Sequence, residues 1–145
     1  MANILVIDDN ETLREGVAQV VRKMGHTAWT ASGGAAGLVL WGRHDIDFTI
    51  SDLKMDDVTG IDVLRGIRRK DPNALVMIIT AFGTIEVAVD AMREGAFDFI
   101  TKPFPPDLLR AKVEKALKVG QTLRDNEHLR EVNSQLLDEA AGKYD

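Results

Sequence analysis

Two apolar runs in the chain end in aspartate. Ile4–Ile7 is followed by Asp8 and Asp9, and Phe48–Ser51 is followed by Asp52. Short runs of β-branched and aromatic residues closed by polar residues are typical of buried parallel strands. In open α/β sheets, ligands bind beyond the carboxyl ends of such strands. The pattern therefore predicts that three acidic side chains converge at one site.

The other apolar positions alternate between strand and helix spacing. They predict further strands near residues 27–30, 75–80 and 97–100, each separated from the next strand by a helix. The predicted helix starts are Asn10, Ser32, Gly60, Thr84 and Pro105. Five such units predict a doubly wound, five-stranded parallel α/β sheet. In the order 2-1-3-4-5, the switch point between strands one and three would place the three aspartates in one crevice.

The pattern changes near the C-terminus. A chain of 145 residues suits one domain plus an extra element, so we expect a domain over residues 1–120 and a helical linker over 121–145. From residue 119 a narrow apolar seam runs between polar residues, at the spacing of a short coiled coil that pairs with a copy of itself. A solvated terminal helix or a frayed tail is the alternative interpretation.

Three neighbouring carboxylates would repel one another by roughly 4 kcal/mol per pair at an effective dielectric near 20. A hard divalent cation would compensate for that repulsion. The predicted ligands are all oxygen atoms, which suits Mg²⁺ completing its coordination with water and phosphate oxygens. The cluster Asp8, Asp9 and Asp52 therefore predicts a magnesium cofactor and phosphoryl chemistry.

Composition narrows the function classes. The absence of cysteine excludes a disulfide, a thiolate metal site or a cysteine nucleophile within these residues, and it fits a cytoplasmic protein. A net charge of -5 argues against direct contact with nucleic acid. The sequence shows neither a secretory segment nor an apolar stretch long enough to cross a membrane, so we expect no membrane partner.

Five ordered motifs carry a resemblance to a known family. They are Val6-Ile7-Asp8-Asp9-Asn10, Ser51-Asp52-Leu53-Lys54-Met55, Gly60, Thr80-Ala81 and Thr101-Lys102-Pro103-Phe104. Each motif alone is weak, but all five at the expected strand ends are specific. The chain resembles the receiver domain of two-component response regulators over about residues 3–120. The stretches 81–84 and 96–100 are similar to the NtrC-type subfamily, whose members act with sigma-54 polymerase.

The resemblance implies a role for each site residue. Asp52 would accept a phosphoryl group, while Asp8, Asp9 and the backbone carbonyl of Lys54 would join Asp52 in binding Mg²⁺. Lys102 would place its ammonium on a phosphate oxygen.

The resemblance also implies a switch. The Thr80 hydroxyl would turn onto the phosphoryl group, and Phe99 would then move inward. The alternative for Phe99 is an ordinary core residue. Lys102-Pro103 is a candidate cis peptide. Asp56 stands where the family usually has proline, which predicts a more mobile loop with extra negative charge beside the metal.

The implied partners are a histidine kinase, a second copy of the chain, and output domains of a larger regulator. The second copy would bind through the face of helix four, strand five and helix five and through the linker helix. The output domains would be an AAA+ ATPase and a DNA-binding domain. A phosphatase would share the nucleophile and the metal, but Lys54 occupies the place where an acid/base carboxylate would be needed. A scaffold that acts by docking alone is a third hypothesis.

Overall fold

A computed structural model describes the backbone of residues 1–81 and 85–142 and the side chains of residues 1–81 and 86–126. The strands are β1 (Asn3–Ile7), β2 (Thr27–Ala31), β3 (Phe48–Asp52), β4 (Val76–Ala81) and β5 (Asp98–Lys102). The helices are α1 (Glu11–Lys23), α2 (Gly34–Arg43), α3 (Gly60–Lys70), α4 (Ile85–Arg93) and α5 (Pro106–Gly142). The predicted start of the fourth helix at Thr84 lies outside the described residues.

The five strands form one parallel sheet in the order β2-β1-β3-β4-β5, which confirms the predicted fold. Two apolar layers cover the sheet. The layer under α1 and α5 includes Val17, Phe48 and Val113, and the layer under α2, α3 and α4 includes Leu5 and Leu64. Because β1 and β3 are central and covered on both faces, their apolar runs are continuous rather than alternating.

Local signals explain most of the element boundaries. Asn10 caps α1 as predicted, because its side chain accepts a hydrogen bond from the backbone N–H of Leu13 at 3.0 Å. Thr59 forms a capping box at the start of α3. The predicted Ser32 cap of α2 is wrong, since Gly33 is the cap residue and supplies no side-chain hydrogen bond. The carboxylate of Asp57, more than twenty residues later in the chain, caps this helix instead.

The fifth strand begins and ends later than predicted. It spans Asp98–Lys102 rather than residues 97–100, so Thr101 and Lys102 belong to the strand. β5 is an edge strand, and only Ile100 in it is fully buried. Polar residues are therefore compatible with its last two positions, which a search for buried apolar runs leaves out.

Helix α5 spans 37 residues and passes the predicted domain boundary at residue 120 without a break. Just beyond that position, Arg124 Nη1 lies 3.4 Å from Asp47 Oδ1. A Cβ atom at Gly120 would lie 3.4 Å from Leu75 Cδ1, an ordinary packing distance. The predicted pairing seam falls mostly on side chains outside the described residues. No described helix is long and apolar enough to cross a membrane.

Candidate functional site

Asp52 lies at the carboxyl end of the central strand β3. The strand pairs with β1 on one side and β4 on the other, where Asp52 is in register with Ile79. Only 6% of Asp52 is exposed. Its Oδ1 atom accepts a hydrogen bond from the backbone N–H of Leu53 at 3.0 Å, which fixes the carboxylate at the strand end.

Asp8 and Asp9 follow the adjacent strand β1. Asp8 is fully buried, and its Oδ1 accepts a hydrogen bond from the backbone N–H of Asn10 at 2.9 Å. The backbone oxygen of Asp8 accepts a second one from Arg14 Nη1, also at 2.9 Å. Asp8 Oδ2 is buried without a hydrogen-bond partner, whereas Asp9 is exposed. One carboxylate oxygen is thus free to bind a cation.

The three carboxylates form a candidate metal site. One oxygen each from Asp8, Asp9 and Asp52 lies within 4.8 Å of the other two. Burial, opposed by the Asn10 hydrogen bond and aided by the charge of Asp52, raises the pKa of Asp8 to about 6. A divalent cation fits this arrangement, because it would occupy the unpartnered oxygen and offset the repulsion.

Lys102 ends β5 and extends toward the same acids. Its Nζ lies 3.3 Å from Asp52 Oδ1 and 4.0 Å from Asp8 Oδ2. The Lys102-Pro103 peptide bond is cis, as the resemblance suggested. Because 32% of the Lys102 side chain is exposed, the ammonium can also contact a group that enters from solvent.

Thr80 and Phe99 lie on the neighbouring strands β4 and β5. Thr80 is fully buried, and its hydroxyl has no hydrogen-bond partner. Phe99 is half-buried and is in register with Ile78 of β4. In the register of β4 and β5, Phe99 lies two positions before Thr101, the residue opposite Thr80.

Asp9, Asp52 and Lys102 line one cavity of about 270 Å³. Its lining comes from the ends of β3, β4 and β5 and from the loops that follow β1 and β3. The lining residues are Asp9, Asn10, Asp52, Leu53, Lys54, Ala81 and Lys102. The cavity therefore brings together Asp9, Asp52, Lys54 and Lys102, and the buried Asp8 belongs to the same acidic cluster. Thr80 and Phe99 are not among the lining residues.

The loop between β3 and α3 contains a residue whose partner the sequence did not reveal. Asp57 accepts hydrogen bonds from the backbone N–H groups of Gly34 and Ala35 at the start of α2. The expectation of a mobile loop at Asp56 took no account of this contact. The glycine-rich start of α2, which has no capping side chain of its own, was a signal that another residue caps this helix. That residue, Asp57, lies more than twenty positions away, so the sequence did not identify it.

Comparison with known proteins assigns most of the chain to one family. Residues 4–114 match the family model described as the response regulator receiver domain. Transcriptional regulatory protein GlrR of Escherichia coli is 35% identical over 124 residues, covering 86% of this chain and 28% of that protein. The chain spans less than a third of the length of such curated relatives.

Two solved structures have the same fold as this chain. NtrX from Brucella abortus in complex with ATP has a TM-score of 0.85 and 33% identity over 88% of this chain and 29% of that one. A receiver domain protein from Clostridium thermocellum has a TM-score of 0.81 and 34% identity over 85% of this chain and 99% of that one. The match to NtrX thus covers one part of a longer protein, and the match to the second covers nearly all of it.

Proposed function

This chain belongs to the response regulator receiver domain family and resembles its NtrC-type members, and we propose that it is a phosphorylation-dependent switch in which Asp52 accepts the phosphoryl group. The observation that carries the proposal is the position of the Asp52 carboxylate. It stands at the mouth of a cavity between two other acids and the Lys102 ammonium, 3.3 Å away. Carboxylates so placed act as nucleophiles toward phosphorus when the incoming charge is neutralised.

Mg²⁺ is the proposed cofactor. Asp8, Asp9 and Asp52 would hold it together with the backbone carbonyl of Lys54, which lies in the loop lining the cavity. When bound, the ion would neutralise the phosphoryl oxygens and orient them for displacement. Asp8 supports this assignment, because its buried Oδ2 accepts no hydrogen bond and lies 4.0 Å from the Lys102 ammonium, which leaves it able to bind a metal ion.

The proposed transfer is a single displacement. An oxygen of Asp52 attacks the phosphorus of a phosphohistidine, forming an O–P bond as the P–N bond breaks. The imidazole leaves with the electron pair of that bond and takes a proton from solvent. Lys102 stabilises the charge on a phosphoryl oxygen, and the Thr80 hydroxyl gains the hydrogen-bond partner that it lacks in the structure.

That new bond at Thr80 would produce the switch. A turn of Thr80 toward the phosphoryl group vacates space beside β5, into which Phe99 would move. The phosphoryl group would thereby bias an equilibrium between two conformations of the face built from α4, β5 and α5. Val89, Met92 and Leu108 are exposed apolar residues of α4 and α5 and support pairing of two copies through this face.

A histidine kinase is the proposed phosphodonor, and cytoplasm the proposed location. Residues 1–120 would form the receiver and residues 121–145 a helical linker that contributes to dimerisation. By analogy with the relatives, which are more than three times as long, the linker would lead to an AAA+ ATPase that acts with sigma-54 polymerase and to a DNA-binding domain. The chain would not be an enzyme with a free substrate, although it would assist its own phosphorylation and dephosphorylation.

Intact mass measurement tests the proposal directly. The wild type and Asp52→Asn are incubated with a small-molecule phosphodonor, with and without Mg²⁺. We expect a single Mg²⁺-dependent phosphoryl adduct in the wild type and none in the variant. An equal adduct in Asp52→Asn would overturn the assignment of Asp52, and a wild type without an adduct would favour a docking module.

A further inference from the structure

We propose that Asp57 is a positioning residue. Its hydrogen bonds to the start of α2 fix the loop between β3 and α3 and thereby place the Lys54 carbonyl at the proposed metal site. This inference rests on the proposed function, because the loop carries the Lys54 carbonyl assigned to Mg²⁺. Asp57 itself contacts neither the metal nor the phosphoryl group in this assignment. It acts through the backbone to which it is attached.

The contact is made by both carboxylate oxygens. Asp57 Oδ1 accepts a hydrogen bond from Gly34 N at 3.1 Å, and Oδ2 accepts one from Ala35 N at 2.9 Å. The first N–H groups of a helix have no partner within the helix. Gly33, the cap residue of α2, offers no side chain to satisfy them. Asp57 therefore serves as the helix cap from a distance of more than twenty residues in sequence.

Charge favours this contact as well. The start of a helix carries partial positive charge, which attracts a carboxylate. The hydrogen bond from Ala35, with further bonds from the backbone of Val58 and Gly34, lowers the pKa of Asp57 below its usual value. The Asp57 side chain thus remains ionised at neutral pH while it holds α2.

The glycines of α2 make room for the loop. A Cβ atom at Gly34 would lie 2.1 Å from Val58 Cγ2, and one at Gly33 would lie 3.0 Å from Asp57 Oδ2. Any larger residue at Gly34 would push Val58 away. The two glycines, which weaken the sequence signal for a helix, are therefore what allows the loop to approach the start of α2.

The loop is fixed at both ends, and the Asp57 hydrogen bonds and two packed apolar side chains hold it between them. At one end Leu53 N donates to Ile79 O at 3.0 Å, and at the other Gly60 N donates to Leu53 O at 2.8 Å. Between these ends, Lys54, Asp56 and Asp57 are exposed, whereas Met55 and Val58 are partly buried against the core layer under α2, α3 and α4. Asp57 supplies two hydrogen bonds from this segment to a different element. Its loss would let the Lys54 carbonyl shift, and partners that orient metal ligands commonly matter tenfold or more.

The experiment compares Asp57→Ala, Asp57→Asn and the control Asp56→Asn. The single amide oxygen of asparagine can still accept one of the two hydrogen bonds from the helix start, whereas alanine can accept neither. Asp56→Asn removes the same charge from an exposed neighbouring side chain. NMR titration with Mg²⁺ alone gives the Kd, intact mass with a small-molecule phosphodonor gives the phosphorylation rate, and the amide signals of Gly34 and Ala35 report on the contact.

We expect Asp57→Ala to raise the Mg²⁺ Kd roughly tenfold and to slow phosphorylation by a similar factor, with displaced Gly34 and Ala35 signals. Asp56→Asn should stay within about threefold of the wild type, since it loses charge and keeps the contact. Asp57→Asn keeps only one of the two hydrogen bonds and should fall between Asp56→Asn and Asp57→Ala. Gly33→Ala disturbs the same contact from the α2 side and should reproduce the loss more weakly. It also serves as the test if Asp57→Ala does not fold.

Two results would overturn the positioning role. One is displaced Gly34 and Ala35 signals in Asp57→Ala with an unchanged Mg²⁺ Kd and phosphorylation rate, which would make Asp57 a cap for α2 and nothing more. The other is an equal loss in all three aspartate variants, which would make the effect one of charge. Failure of the proposed function looks different, because the wild type itself would then bind no Mg²⁺ and take up no phosphoryl group.

Discussion

Gly60 packs directly against the backbone carbonyl of Asp52. A Cβ atom at Gly60 would lie 2.4 Å from Asp52 O and 3.0 Å from the Cα of Leu53. Both neighbours are backbone atoms and cannot rotate aside. The first residue of α3 therefore fixes how closely that helix approaches the strand end that carries the proposed phosphoacceptor.

Gly60→Ala should consequently damage both stability and function. Overpacking against backbone costs about 1–3 kcal/mol in the free energy of unfolding, and the displaced Asp52 should accept phosphoryl groups more slowly. Gly16→Ala in α1 is the matched control, because a Cβ atom there meets nothing within 4 Å. The control should gain roughly 0.5–1 kcal/mol from helix propensity. Urea unfolding and intact mass measure the two effects, and a Gly60→Ala protein as stable as the wild type would contradict the packing argument.

Lys102→Gln should separate metal binding from phosphorylation. The Lys102 ammonium lies 3.3 Å from Asp52 Oδ1 and competes with a cation for the acids, so its removal should tighten Mg²⁺ binding roughly three- to tenfold. The same change removes the group proposed to stabilise the transferred charge, and phosphorylation should slow by roughly 10- to 100-fold. Calorimetric titration and intact mass measure the two effects. Lys23→Gln on α1 removes an equal charge away from the site and should alter neither, and weaker Mg²⁺ binding in Lys102→Gln would refute the competition.

The stability of the metal-free protein should fall as pH rises. Burial raises the pKa of Asp8 from 3.8 to about 6, so the folded state binds a proton that the unfolded state has already lost between these values. By linkage, the free energy of unfolding then decreases from about pH 4 to pH 6, by an amount on the order of 2–3 kcal/mol. Asp8→Asn should flatten this dependence, as followed by urea unfolding at several pH values. Saturating Mg²⁺ should restore stability above pH 6, and a metal-free profile that rises through this window would contradict the raised pKa.

Thr80→Val should leave the fold intact and impair the switch. The Thr80 hydroxyl is buried without a partner, so its replacement by a methyl group should change the free energy of unfolding by roughly 0 to +1 kcal/mol. Thr49 has the same unpaired, buried hydroxyl, and Thr49→Val is the matched control for stability. Both variants should accept phosphoryl groups. Only Thr80→Val should lose most of the phosphorylation-dependent change in the NMR signals of the Phe99 ring, and a full response in that variant would exclude its hydroxyl from the switch.

Much of the site followed from sequence because its residues sit at ends of recognisable strands. Asp8 and Asp52 each close an apolar run, and the parallel sheet then brings them together. The order of the strands was harder to predict than their positions, because no local pattern encodes which strands pair. The Asp57 contact with α2 could not be read from the chain at all, because a helix cap supplied from a distant loop leaves no spacing to detect.

Helix α5 is continuous from Pro106 to Gly142, so a motion at its base would be passed along its length. The family match ends at residue 114 and the helix continues to Gly142, so about 40 Å of helix extends from the matched region at 1.5 Å per residue. Geometry makes such an extension a lever arm. About 27 Å of this helix lies beyond Arg124, which still contacts the domain, and a tilt of about 10° there carries the far end through roughly 5 Å, close to one helical turn. The Arg124–Asp47 pair lies near the fulcrum, where a small change in contact gives the largest displacement at the far end.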